Sequence, residues 1–224
     1  RYGAATDEVG VAANNVWIHN IRFLADTSIT RGLDLDTGFV GARVSNCQFD
    51  FDSNGSDFKT MIRVGQARSV IENNEFLAED TAGAGKGVNI WGGYPDYLQI
   101  KNNYFYGQFD TVGDTSNSAG AIVIDSAHDS GDTVLSGIRI EGNTIVSTDT
   151  AAALLINLGT IAGVRGIVAN NLLASYDTAT ADTAQVEFGA TGGVLPLNNY
   201  FIDADTDVQQ GIVGRRQMVG NLDS

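Results

Sequence analysis

The amino-acid sequence predicts an all-β chain wound as a parallel β-helix. Two observations carry this: a motif returns at intervals of 26 to 40 residues, and between its copies stands a second short strand of alternating or nearly alternating apolar and polar residues. No window shows the sustained apolar stripe of a helix.

The motif reads VIENNEF at Val70 to Phe76 and returns as IKNNYF at Ile100, IEGNTI at Ile140 and VANNLL at Val168. Taking its first apolar residue as an anchor gives Ile18, Val44, Ile71, Ile100, Ile140, Val168 and Pro196, spaced 26, 27, 29, 40, 28 and 28 residues apart, hence about seven coils. Two places after each anchor stand Asn20, Asn46, Asn73, Asn102, Gly142, Asn170 and Asn198. Five places after stand Phe23, Phe49, Phe76, Phe105, Ile145, Leu173 and Phe201. The intervening strands are GLDLD (from Gly32), TMIRV (Thr60), GVNIW (Gly87), AIVID (Ala121), ALLIN (Ala153) and QVEFG (Gln185).

Each coil of such a solenoid lies about 4.8 Å from the next, so every position stacks on its own equivalent. Asn suits the corner between two strands, because it tolerates the left-handed backbone of a sharp bend and its amide can bond to the next coil. Gly142 meets the same backbone need. The Phe column is expected to stack inside as an aromatic ladder. Residues 1–210 form the predicted solenoid, with earlier N-terminal coils expected before it. Residues 211–224 form a C-terminal cap or subunit-contact segment in which Arg215 and Arg216 stand out.

The 27 acidic and 13 basic residues give a net charge of -14, which disfavours nucleic acid, anionic membranes and acidic glycans and leaves a neutral glycan, a cation or a protein as partner. No apolar run is long enough to span a bilayer, and the opening RYGAATDEVG lacks the features of a signal peptide. The lone Cys47 falls at a packing position.

For glycan cleavage two carboxyls are needed, about 5 to 5.5 Å apart for retention or about 6.5 to 9.5 Å for inversion. Asp34 and Asp36 share one outward strand face about 7 Å apart, and are the residues to test if the chain is an enzyme. The aligned Arg63 would neutralise one of them, and Asp125 is too many coils away from Asp36 to act as its partner. Glu72, Lys101 and Glu141 read as an alternating charge ladder on successive coils, and His19 as a solvated residue above Ser45. The turn containing Asp125, His128, Asp129 and Asp132 has the oxygen ligands a cation would need, but it is also ordinary turn chemistry; no metal or cofactor is expected. Trp91, Tyr94 and Tyr97 flank one corner, and Tyr104, Tyr106 and Phe109 the next. They read either as a sugar-stacking platform or as half-buried cover for the coil edges, with the second favoured for Trp91 and Tyr97.

The outward column of the second strand reads Asp34, Arg63, Asn89, Val123, Leu155, Glu187, which makes Val123 and Leu155, with Arg215 and Arg216, candidates for a subunit interface. The insertion at about residues 106–119 is the alternative cover for this face.

The Asn and aromatic ladders resemble the right-handed parallel β-helix, or pectate-lyase-like, superfamily across nearly the whole chain. More narrowly, ANNVWIHNIRFLADTS (Ala13 to Ser28), then GLDLD and VSNCQFD, resembles a group of uncharacterised tailed-phage virion proteins. That resemblance implies a rigid homotrimeric structural component of a virion, either capsid decoration or a tail fibre or spike, touching other capsid or tail proteins. The alternatives are a polysaccharide-degrading β-helix enzyme, tailspike-like or secreted, and a bacterial surface adhesin.

Overall fold

The computed structural model describes residues 9–25, 29–51, 58–78, 85–91, 95–109, 120–124, 134–148, 155–158, 163–175, 186–188, 193–203, 212–213 and 222–223. Every regular element among them is a strand, and the strands form three sheets in which all pairings are parallel. Sheet I has eight strands, from Val9–Val11 and Leu33–Leu35 through Thr60–Val64, Lys86–Ile90 and Gly120–Ile124 to Ile156–Leu158, Val186–Phe188 and Ile212–Val213. Sheet II has seven: Trp17–His19, Arg43–Ser45, Val70–Glu72, Gln99–Lys101, Val134–Glu141, Gly163–Ala169 and Gly193–Leu197. Sheet III has eight: Arg22–Ala25, Gln48–Phe51, Glu75–Leu77, Tyr104–Gly107, Thr144–Ser147, Leu172–Ser175, Tyr200–Asp203 and Leu222–Asp223. The chain visits I, II and III in turn and returns to I one layer further on, which is a parallel β-helix. Two short strands of the segment 211–224 thus extend sheets I and III.

All seven anchors fall in sheet II and pair in a single register column, from Ile18 on Val44 to Val168 on Pro196. The 40-residue interval does not disturb it, since Ile100 still pairs with Ile140.

The double asparagine divides two tasks that the sequence reading assigned to one residue. The first of each pair makes the bend: Asn20, Asn46, Asn73, Asn102, Asn170 and Asn198 have φ between 51° and 57°, and Gly142 has φ 67°. These are left-handed values that Asn and Gly adopt at least cost. The hydrogen-bonded ladder belongs to the second asparagine, Asn74, Asn103, Asn143, Asn171 and Asn199, all buried. From Asn103 on, each Oδ1 accepts both the backbone N–H and the Nδ2 of the asparagine one coil earlier, as Asn103 does for Asn74 at 3.0 and 3.1 Å. The Nδ2 also donates to a strand carbonyl of the preceding coil, Ile71 O for Asn103 and Ile100 O for Asn143, both at 3.0 Å. Such bonds contribute about 1 kcal/mol each when made and cost more when a buried partner is orphaned.

A second left-handed corner joins sheets I and II at Asn15, Gly41, Arg68 and Tyr97, and Gly137 takes the same position one coil on at a bulge within Val134–Glu141, all with φ between 55° and 81°. The interior carries the expected stack: Phe23 to Phe49, Phe49 to Phe76 and Phe76 to Phe105 have centroids 4.6, 5.2 and 4.5 Å apart with planes within 9°. Phe58 and Phe109 abut this stack edge-on. Aromatic pairs of this kind add about 0.5–1.5 kcal/mol each beyond their burial.

The outward column of sheet I differs from the sequence reading. Val123 pairs with Asn157 rather than Leu155, so the column runs Asp34, Arg63, Asn89, Val123, Asn157, Glu187. Leu155 stands just before the strand and joins the core. Val123 and Leu155 are both 0% exposed in the single chain. The alignment failed because ALLIN offers two apolar phases, and the one that buries Leu155, Ile156 and Leu158 together wins.

Candidate functional site

The outer faces of the sheets hold the polar chemistry. On sheet I, Arg63 grips Asp34 with two bonds, Nε to Oδ1 at 2.7 Å and Nη2 to Oδ2, and Arg31 stands 3.7 Å from the same carboxylate. The far face of the Arg63 guanidinium lies over the Trp91 ring, 4.0 Å from its centroid. Asp34 is 5% exposed, whereas Asp36 is exposed and accepts the N–H of Thr37 at 2.8 Å. The one carboxyl pair singled out from the sequence is thus divided between a buried, ion-paired group and a solvated turn group. A general acid or base needs an available proton site facing the substrate, which Asp34 lacks while Arg63 holds it.

On sheet II Glu72, Lys101 and Glu141 stand in one register column as expected, but the ion pairs only partly follow it. Glu72 pairs with Lys101 at 3.1 Å and also with Arg43, and Arg139 pairs with Glu141 at 3.1 Å. Burial pushes the Glu72 carboxyl up, but the hydrogen bonds and charges of Lys101 and Arg43 outweigh that and hold it below its ordinary value. Arg43 also lies over Trp17, whose Nε1 donates to Ser45 Oγ at 2.8 Å and whose ring packs 4.4 Å from exposed His19. This Trp17 cluster was missed from sequence, although its four members flank the first two anchors.

On sheet III, Gln48 Nε2 donates to Glu75 Oε2 at 2.8 Å, and Tyr104 and Tyr106 are half exposed with near-parallel rings 6.4 Å apart. Beside them, along the corner between sheets II and III, runs an open trough of about 550 Å³ lined by Asn46, Gln48, Asn73, Glu75, Asn102 and Tyr104. Phe109 is fully buried and belongs to the core, not to an aromatic platform. Tyr97 is exposed with its ring against Gly137, and Trp91 is half buried.

Cys47 occupies the asparagine-ladder column one coil before Asn74: its N–H donates to Asn74 Oδ1 at 2.9 Å and its Sγ approaches Ile18 O at 3.8 Å. Burial pushes its thiol pKa up. Among the described residues no group of three or more His, Cys, Asp or Glu side chains is placed to hold a metal ion. Tyr94, the turn with Asp125, His128, Asp129 and Asp132, the insertion from 110 to 119, and Arg215 and Arg216 lie outside the described residues.

The fold and these faces define a parallel β-helix with three ladder-bearing surfaces. No protein-family model matches the chain, and no curated protein sequence matches it. Among solved structures it superposes on a tailspike protein variant of the E. coli bacteriophage HK620, determined in complex with a pentasaccharide, at a TM-score of 0.60 and 12% identity. The match covers 98% of this chain and 41% of the tailspike chain, and at that identity it speaks for the fold.

Proposed function

We propose that the chain is a tailspike-like structural component of a tailed-phage particle, a rigid β-helix that works mechanically and without catalysis. The supporting observation is the match to a phage tailspike along 98% of the chain, together with the resemblance of Ala13 to Ser28 to phage virion proteins. A second support is Asp34, whose commitment to Arg63 removes the best candidate for a hydrolytic pair. Stacked backbone bonds, the asparagine ladder and the phenylalanine stack give a rod suited to bearing load on an extracellular particle. In this reading three copies associate, other capsid or tail proteins hold them, and a neutral cell-surface glycan is the outward partner.

Peptide mass spectrometry across a density gradient of particles from the source culture tests the proposal. The chain should band with the major capsid protein, at high copy number for capsid decoration or low copy number for a fibre or spike. Recovery only in the soluble fraction would refute it. The native mass should be about three times 23.6 kDa.

A further inference from the structure

Asn46, Asn73 and Asn102 stand exposed on the crest between sheets II and III in three consecutive coils. Two places further along each coil come Gln48, Glu75 and Tyr104, paired in register on sheet III. The trough of about 550 Å³ between these two rows is therefore a repeating amide edge facing a row of one amide, one carboxylate and one aromatic ring. Three rungs span about 10 Å at the coil spacing.

The chemistry of this lining selects a class of ligand. Each amide offers both a donor and an acceptor, as a hydroxyl does, and the Gln48 to Glu75 bond orients that pair. Tyr104, 39% exposed, supplies an aromatic face at one end, with the ring of Tyr106 alongside it, planes 11° apart. Among the described residues no cation lines the trough; Arg22, beside Gln48 on sheet III, is paired with Asp50, and on the adjoining strands of sheet II Arg43 and Lys101 are paired with Glu72. With Glu75 in the wall and a net charge of -14, phosphate, sulfate or uronate groups are repelled. What remains is a neutral polyhydroxyl chain, its hydroxyls on the amides and a C–H face on the tyrosines.

We propose that the trough is a non-covalent binding site for a neutral oligosaccharide. The site deepens the reading of the chain as a particle component that meets a neutral glycan, and rests on that reading only for where the glycan is met. The test uses the full chain on an array of neutral and acidic bacterial polysaccharides, with each retained glycan then titrated by isothermal calorimetry. Retention of at least one neutral glycan is expected, weakened at least tenfold both by Tyr104→Ala and by Asn73→Gly. The second variant removes an amide yet keeps the left-handed bend, as Gly142 does. Retention of no neutral glycan, preference for acidic ones, or equal affinity in both variants would overturn the inference. So would Tyr104→Ala dissociating an oligomer while glycan affinity stays intact, which would mark the face as a contact between copies. Co-banding with particles but no glycan retention sinks this inference alone, and glycan retention by a soluble protein sinks the particle assignment alone.

Discussion

Replacing Asn103 by Ala removes one rung from the middle of the buried ladder, and the cost follows from the bonds that rung makes. Its Oδ1 accepts the backbone N–H and the Nδ2 of Asn74, and its Nδ2 donates to Ile71 O and Asn143 Oδ1. After truncation Asn74 Nδ2 keeps Val44 O, and Asn143 Oδ1 keeps the Asn103 backbone N–H. The Asn74 backbone N–H loses its partner, while the Ile71 carbonyl, inside a strand paired with Gln99–Lys101, loses only its side-chain donor. At about 1–3 kcal/mol for the orphaned N–H and about 1 kcal/mol for the bond lost at Ile71 O, the substitution should cost about 2–4 kcal/mol, against a total stability of about 5–15 kcal/mol for a typical domain. Guanidinium unfolding followed by far-UV circular dichroism measures it. Asn102→Gly, one residue away, is the internal control: it retains the bend and the ladder and should shift the midpoint little. If Asn103→Ala lies within about 1 kcal/mol of the parent, the ladder is not what holds the coils together and the energetic argument fails.

Asp34→Asn should cost about 2–4 kcal/mol, since it leaves Arg63 without its buried counter-charge, while Asp36→Asn should be near neutral; the reverse order in thermal unfolding would contradict the division of that pair. Because the Glu72 carboxyl is held below its ordinary value in the folded chain, its stabilisation is complete above the unfolded value, about 4.3, and is lost as pH falls through the lower folded value. Glu72→Gln should therefore destabilise by about 1 kcal/mol near neutrality, with the gap to the parent closing in acid; a gap that widens there would refute the assignment. Cys47 should resist an aromatic disulfide reagent until the chain is denatured. Cys47→Asn should fit the ladder, placing an amide where Sγ now faces Ile18 O, and leave stability unchanged or raised by up to about 1 kcal/mol. Arg68→Asn should stabilise by about 1 kcal/mol, because Arg68 holds a left-handed φ of 57° that Asn adopts more readily; an unchanged midpoint would argue against strain at that corner.

The fold was legible because stacking forces equivalent positions to repeat. The anchors, the bends at Asn20 to Asn198 and the Phe column all occupy one register each, and each could be read as a column of letters. The second ladder was equally available as a column, three places after each anchor, but Ile21 and Cys47 at its start broke the pattern and hid it. The column Asn15, Gly41, Arg68, Tyr97 and Gly137 was not legible, since Arg68 and Tyr97 interrupt what is otherwise Asn and Gly. The trough has a similar history. Tyr104 and Tyr106 were noticed as aromatics, but their relation to Gln48 and Glu75 depends on which coils are neighbours, and only register supplies that.

The undisturbed pairing across the 40-residue interval bears on how such a chain can change its length. Asn103 still meets Asn143, and Phe105 still pairs with Ile145, although a dozen additional residues separate these two rungs compared with the coils on either side. Every rung presents the same bond pattern above and below, so a whole turn can be duplicated or deleted without changing what its neighbours must offer. Additional sequence can also leave through a loop between strands. A single residue inserted between Asn102 and Phe105 has neither route, because it would put every later side chain of that strand on the wrong face. Growth of this molecule is therefore quantised along its axis and free only at its margins, so that reach and surface decoration can diversify separately.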